Sequence, residues 1–278
     1  MVWRHPPWDG HTLVFDPQAH ISHWVRLGFG SDHIRARHEY GEVVRRLYAR
    51  VRADERLWTL LESTGLATFA MSVMAMREST RSTSVVRSLV EFFWDSTNTF
   101  HFPWGEVTIT PADFAVISGL PITPLRVEID DDLRVSHPMV ERMLEPITAD
   151  CRRESMSSSR VSKKTVRTAL LESAFEMDGT TPEQRVRIFL LVLISSIFTE
   201  ERSSRTMLRL LPSIRELDWV SLFDWSGLGF ADLMLGLRHA CRQVQGEAIP
   251  IIYGLWYVVE VSPFPCEPIL LARIQLVF

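Results

Sequence analysis

The stretch TFHFPWGEVTITPADFAVISGLPI, residues 99–122, switches from one periodicity to another. Phe100 and Phe102 alternate with Thr99 and His101, and Val107 and Ile109 alternate with Thr108. A period of two sends successive side chains to opposite faces of a strand, so the two phenylalanines share one face and His101 takes the other. Register follows the buried face. A four-residue loop, Pro103-Trp104-Gly105-Glu106, sets Phe102 across from Val107 and Phe100 across from Ile109. Thr110-Pro111-Ala112-Asp113 then reads as a helix start, with Thr as N-cap, Pro at the first helical position and an acid three after the cap. The helix is expected over 111–118. Gly119 suits the residue just past its end, and Pro121 forbids continuation. The stretch is thus a hairpin feeding a short buried helix. His101 reads as a solvent-side or hydrogen-bonded strand residue rather than a catalytic one. Trp104, at the hairpin tip, either packs on a neighbouring helix or belongs to a contact surface.

Working outward, 278 residues suit one large domain or two small ones, and can bury roughly three quarters of the unfolded surface. Hydrophobic residues make up 46% and charged residues 23%, as in a globular protein. A net charge of −4 argues against a strongly basic nucleic-acid binder. The three cysteines, Cys151, Cys241 and Cys266, form neither a disulfide framework nor a zinc knuckle, which points to a reducing compartment. The N-terminal MVWRHPPWDG has no apolar signal core. The longest apolar run, IFLLVLISSIF at 188–198, is too short to span a bilayer and reads as a buried helix. No membrane association is expected.

The rest of the chain reads as largely helical. Residues 42–51 and 55–66 carry apolar side chains at helical spacing, with Gly65 as a C-cap. Further helices are expected over 83–95, leading directly into the hairpin, over 137–148, and over 162–175 with Val166, Leu170 and Ala174 on one face. Thr181-Pro182-Glu183-Gln184 repeats the cap logic of Thr110 and opens a helix to Phe198. Ser226 is placed to cap a helix running to about Gln243. Pro250 opens IIYGLWYVVEV, helix by position and strand by its β-branched content. The expected architecture is mainly α: a single helical domain with a small β-hairpin at about 99–109 and a core of the helices 111–118, 182–198 and 227–243. Segment 150–164 is a polar insertion rich in Ser, Arg and Lys, either a solvated loop or a phosphorylatable or nuclear-import segment. The tail 261–278 is either a docked strand or the cut edge of a longer parent.

The 99–122 stretch closely resembles the signature of the plant mobile domain family, also labelled aminotransferase-like, which includes meristem-maintenance proteins and many transposon-associated relatives. The resemblance rests on Thr97, Thr99, Phe100, His101, Pro103, Gly105, Glu106, Thr108, Ile109, Thr110, Asp113, Gly119, Leu120 and Pro121. Residues 185–217 and 219–242 resemble the family's long helix and its Trp-Gly helix, with Ser226 where Gly is usual and Met234 where Tyr is common. With DPQAHISHWV at 16–25, the resemblance covers most of 16–260. It implies a nuclear protein active in transposon silencing, transcriptional regulation and meristem maintenance. Because some relatives carry the domain fused to a phosphatase-like domain, it also implies a protein partner, with a phosphatase-like one as a candidate.

The residues themselves argue against the chemistry in the aminotransferase label. A pyridoxal-phosphate enzyme needs a Schiff-base lysine in an apolar site. Only Lys163 and Lys164 exist, adjacent, in the polar insertion. No cofactor is expected, and no enzymatic activity. Six of nine histidines lie in the first 38 residues, including His20 and His23 and the pair His33 and His38, but no Cys or acid completes a tetrahedral set. Asp130, Asp131 and Asp132 read as a solvated turn rather than the converging acids of a two-metal site. Two classes remain. One is a non-catalytic interaction domain using exposed tryptophans (Trp3, Trp8, Trp24, Trp104) as anchors. The other is a nucleic-acid-binding remnant of transposon machinery. For the second, residues 33–56 carry seven arginines, among them Arg45, Arg46, Arg50 and Arg52. Convergence of these with Arg152, Arg153, Lys163 and Lys164 on one face favours phosphate contact. Dispersal favours protein partners.

Overall fold

The computed structural model describes residues 20–21, 35–36, 42–75, 89–102, 105–145, 149–151, 153, 164–198, 205–242, 251–252 and 258. In chain order the elements are β1 (Arg35–Ala36), α1 (Glu42–Ala53), α2 (Glu55–Ser63), α3 (Ala67–Ala75), β2 (Phe93–Trp94), β3 (Thr99–Phe102), β4 (Gly105–Val107), α4 (Pro111–Ser118), α5 (Pro138–Met143), β5 (Thr165–Arg167), α6 (Thr168–Glu176), α7 (Pro182–Phe198), β6 (Arg205–Met207), a 3₁₀ turn (Leu211–Ile214), α8 (Leu217–Val220), α9 (Trp225–Cys241) and β7 (Ile251–Ile252). The fold is mainly α, with sheets of two or three strands. The chain divides into two compact units of interleaved segments: Met1–Arg37, Glu78–Ile117 and Gly229–Phe278 form one, and His38–Arg77 and Ser118–Leu228 the other.

The second unit is organised by α7. Its first turn is a capping box: the Thr181 hydroxyl accepts from the Gln184 N–H at 3.2 Å, and the Gln184 amide oxygen accepts from the Thr181 N–H at 3.0 Å. The apolar run that follows is buried almost all round, including Phe189, Leu190, Leu191, Leu193 and Ile194. Such a helix needs neighbours on every side. Helices α1, α2 and α6, strand β6 and the 3₁₀ turn supply them. Phe198 stacks on Phe69 of α3, with ring centroids 6.1 Å apart. Helix α2 ends where Gly65 adopts φ +72, as its position past the last turn requires.

In the first unit the hairpin gains a strand. Phe93 and Trp94 pair with Phe100 and Thr99, so β2, β3 and β4 form a three-stranded antiparallel sheet. The expected helix over 83–95 is corrected there: 89–92 are helical, but the chain extends at Phe93, where both Phe93 and Trp94 are buried. The register is corrected too. Phe100 faces Val107, His101 faces Glu106 and Phe102 faces Gly105. The loop is therefore shorter than four residues, and its residues Pro103 and Trp104 lie outside the described residues. The observed register differs by two residues from the expected one. A two-residue slip keeps every side chain on its face, and it brings the polar residues His101 and Glu106 opposite each other.

Helix α4 starts as expected. Asp113 accepts from the N–H and the hydroxyl of Thr110, and the Thr110 hydroxyl accepts from the Asp113 N–H at 3.2 Å. It is not buried as a whole. Phe114 and Ser118 are buried, while Val116 is 84% exposed. Gly119 adopts φ +72 and ends it, and a Cβ there would lie 2.8 Å from Thr68 Cγ2. Three more expectations shift. Residues 165–167 form a strand paired with β6, because Thr165 and Val166 find Met207 and Thr206 as partners. The buried face of α6 is then Thr168, Leu171, Ala174 and Phe175; of the expected stripe Ala174 lies on that face and Val166 is buried in β5, while Leu170 is only half-buried. Helix α9 begins at Trp225, and its cap is Asp224, whose carboxylate accepts from the Gly227 N–H at 2.8 Å, rather than Ser226. Asp224 reaches the free N–H groups from outside the first turn, whereas Ser226 lies inside that turn and is buried. Ile251 and Ile252 are strand, parallel to Arg35 and Ala36.

Candidate functional site

The outer face of the three-stranded sheet holds most of the polar signature residues. Alternation along β3 buries Phe100 and Phe102 and turns Thr99 and His101 outward. Glu106 lies across from His101. Around His101 Nε2 gather Thr99 Oγ1 at 3.0 Å, Thr97 Oγ1 at 3.3 Å and Glu106 Oε1 at 3.3 Å. The Thr99 hydroxyl donates to Glu106. Beneath His101 the Trp94 ring lies 5.4 Å away, and the buried His20 stacks on Trp94 at 4.5 Å with its Nε2 2.7 Å from the Phe93 carbonyl oxygen. In a nucleophilic relay the carboxylate holds one imidazole nitrogen and the nucleophile the other. Here both hydroxyls and the carboxylate meet the same nitrogen. The arrangement ties β3, β4 and the preceding turn together.

That turn is clamped a second time. Asn98 adopts φ 57, and its carbonyl oxygen accepts from the Thr108 hydroxyl at 2.8 Å. Its side-chain oxygen accepts from Arg238 Nε at 2.7 Å. Arg242, just past the end of α9, makes a bidentate pair with Asp95 at 2.6 and 2.7 Å. The sequence reading missed both arginines. Their i, i+4 spacing within the segment expected to be helical to about Gln243 was the available signal. Beside them, burial and then the Asp95 charge push the Cys241 thiol up to about 12, far from a reactive thiolate at neutral pH.

The remaining signature residues are architectural in place. Thr110 and Asp113 form the α4 cap described above, and the hydroxyl of Thr110, then its N–H, holds the Asp113 carboxyl below its usual range. Leu120 is buried, and the Pro121 carbonyl oxygen accepts from the Ser226 N–H at 3.0 Å. Gly105 sits opposite Phe102 at the end of the hairpin.

The arginine-rich helix presents a different surface. Arg46 makes a bidentate pair with Glu172 of α6 at 2.6 and 2.9 Å, and this raises the pKa of its guanidinium. Arg50 lies 3.3 Å from Glu176 and Arg56 3.8 Å from Glu183. The Arg52 guanidinium sits 4.1 Å over the Trp58 ring. Arg45 is exposed on α1. Of the second basic group, Arg153 pairs with Asp150 at 2.9 Å and Lys164 with Asp132 at 3.3 Å. Arg152 and Lys163 lie outside the described residues, as do Trp3, Trp8, Trp24, His23, His33, His38, Cys266, most of 150–164 and the tail 261–278. The two groups thus meet separate sets of acids. Lys164 stands in an exposed turn before β5. Asp130–Asp132 form an exposed turn held by Arg209 and Lys164. Among the described residues no group of three or more His, Cys, Asp or Glu is arranged to hold a metal, and no helix is long and apolar enough to cross a membrane.

Fold and surface together define a mainly helical module whose signature residues knit a small sheet to a capped helix. The chain belongs to the plant mobile domain family, whose profile matches residues 68–256. It is 27% identical over 168 residues to Protein MAIN-LIKE 1 of Arabidopsis thaliana, covering 59% of this chain and 32% of that protein. To the same plant's Protein MAINTENANCE OF MERISTEMS it is 24% identical over 168 residues, covering 58% of this chain and 34% of the relative. A third relative, the Serine/threonine-protein phosphatase 7 long form homolog of Arabidopsis thaliana, is 28% identical over 169 residues, covering 57% of this chain and 11% of that protein. The match thus spans about a third or less of each relative's length. No solved structure matches the chain.

Proposed function

We propose that this chain is a non-catalytic interaction domain of the plant nucleus, acting in transposon silencing, transcriptional regulation and meristem maintenance. The reading is carried by the state of its arginines. A phosphate-binding face needs cations free to neutralise phosphates. Arg46, Arg50 and Arg56 instead face the carboxylates of Glu172, Glu176 and Glu183 in their own unit, and Arg52 lies on Trp58. The polar cluster around His101 and the buried Cys241 offer no activated nucleophile, which supports a role without catalysis. The names of the relatives point to meristem maintenance, and the phosphatase-named relative makes a phosphatase-type protein a natural partner.

The test is binding of the purified chain to labelled double- and single-stranded DNA over a salt series, alongside localisation of the tagged chain and transposon transcript levels in plants lacking it. The expected results are no saturable DNA binding near physiological salt, nuclear signal and raised transposon transcripts. Tight binding that falls steeply with salt and weakens in Arg45→Glu and Arg52→Glu would replace this reading with the nucleic-acid one. Exclusion from the nucleus would overturn it.

A further inference from the structure

Four polar atoms on the outer face of the three-stranded sheet stand closer together than their hydrogens allow. Thr99 Oγ1 lies 2.5 Å from both Thr97 Oγ1 and Glu106 Oε1, and 3.0 Å from His101 Nε2. His101 Nε2 lies 3.3 Å from Thr97 Oγ1 and 3.3 Å from Glu106 Oε1. These are five close contacts among four atoms. Each hydroxyl carries one hydrogen, the imidazole Nε2 at most one, and an ionised carboxylate none. Three hydrogens cannot fill five contacts. In at least two of them lone pair faces lone pair, and converging lone pairs are stabilised by a positive charge among them.

We propose that Thr97, Thr99, His101 and Glu106 bind a divalent transition-metal ion through the two hydroxyl oxygens, His101 Nε2 and Glu106 Oε1. One imidazole nitrogen with three oxygens and no thiolate suits Zn²⁺ or Mn²⁺ rather than a soft ion. Ligands about 2.1 Å from a common ion stand roughly 3.0–3.4 Å from one another. The three contacts to His101 Nε2, at 3.0, 3.3 and 3.3 Å, already have that spacing. The two contacts of the Thr99 hydroxyl at 2.5 Å would open by about half an ångström, a small turn of the threonine side chains. The fold delivers the set: residues 97, 99 and 101 follow the period of a strand, and the antiparallel register puts Glu106 opposite His101. The His101 side chain is 27% exposed and that of Glu106 50%, so the ion can enter and water can complete its shell. Two of the four donors are hydroxyls, so the set lies outside the groupings of His, Cys, Asp and Glu considered above. The ion would clip β3, β4 and the preceding turn together. This inference does not depend on the proposed nuclear role.

The test is isothermal titration calorimetry of the purified, EDTA-stripped chain with Zn²⁺ and with Mn²⁺, paired with thermal unfolding. The wild type is expected to bind at least one of the two ions and to unfold at a higher temperature with it. Glu106→Gln and Thr99→Val keep the shape of each side chain and should leave the metal-free thermal midpoint nearly unchanged. Each should weaken binding by about tenfold or more and lose the metal-dependent rise in midpoint. The two changes lie on different strands, so a folding defect in one leaves the other to decide. Only binding that these variants remove belongs to this cluster, since the histidines of the first 38 residues can also take Zn²⁺. A wild type that binds neither ion, or folded variants that bind as the wild type does, would overturn the proposal.

Discussion

Helices α4 and α7 begin with the same device and end as different objects. Both open with Thr-Pro, and in both the Thr hydroxyl accepts from the third residue's N–H while that residue's side chain returns the bond. Yet α4 is eight residues with one buried stripe, and α7 is 17 residues enclosed by its neighbours. A cap fixes where a helix starts. What the helix contributes to stability is set by the apolar area its neighbours remove from water.

Breaking that contrast should be most costly in α7. Phe189→Ala removes a fully buried ring and is expected to cost about 3–5 kcal/mol in urea unfolding. A cost near that of an exposed site would mean the surrounding helices close over the gap. Next comes the end of α4. Gly119→Ala places a Cβ at left-handed φ against Thr68 and should cost about 1–3 kcal/mol, read in the same titration. The two caps should then match each other despite their different burial: Thr110→Ala and Thr181→Ala are each expected to cost about 1 kcal/mol. Clearly unequal values would show that packing reaches into the first turn.

Acidity sharpens the comparison further. The Asp113 carboxyl is held low by the Thr110 hydroxyl and N–H. Its contribution is therefore fully present above the ordinary carboxyl range and is lost as pH falls through the lower folded value. Gln184, its counterpart in α7, does not titrate. Asp113→Asn should thus narrow the gap between neutral and acid stability, measured as thermal midpoint against pH, while Gln184→Asn leaves that gap unchanged. The smallest effect belongs to Val116→Ser, expected within about 0.5 kcal/mol because the side chain already faces water.

What could be read from the sequence follows the same division between local and distant causes. The bounds of α4 and α7 were legible because caps, Pro and Gly act within a few residues. The mainly α character was legible because the apolar spacing is local too. The strand at Phe93–Trp94 was not, since its apolar residues continue a helical stripe and only the partners Thr99 and Phe100 make it a strand. Strand β5 depends on Arg205–Met207, far along the chain. The hairpin register was not legible from the apolar faces alone, since a slip of two residues leaves Phe100 and Phe102 on the same face; the observed one sets Phe100 across from Val107 and His101 across from Glu106. The carboxylates of Glu172 and Glu176 on α6, which meet Arg46 and Arg50 of α1, and of Glu183 at the start of α7, which meets Arg56 of α2, lie where no spacing rule within residues 33–56 could reveal them.

The position of α1 and α2 has a practical side. The recognisable family stretch starts at residue 68, after both helices, yet both pack on α7. A fragment trimmed to that stretch would keep the greasiest helix of the protein and discard two of its walls. It should be expected to clump when expressed, and a failure of such a fragment to bind anything would say nothing about the intact chain. The part of this protein that can be recognised and the part that can stand alone are different lengths of chain.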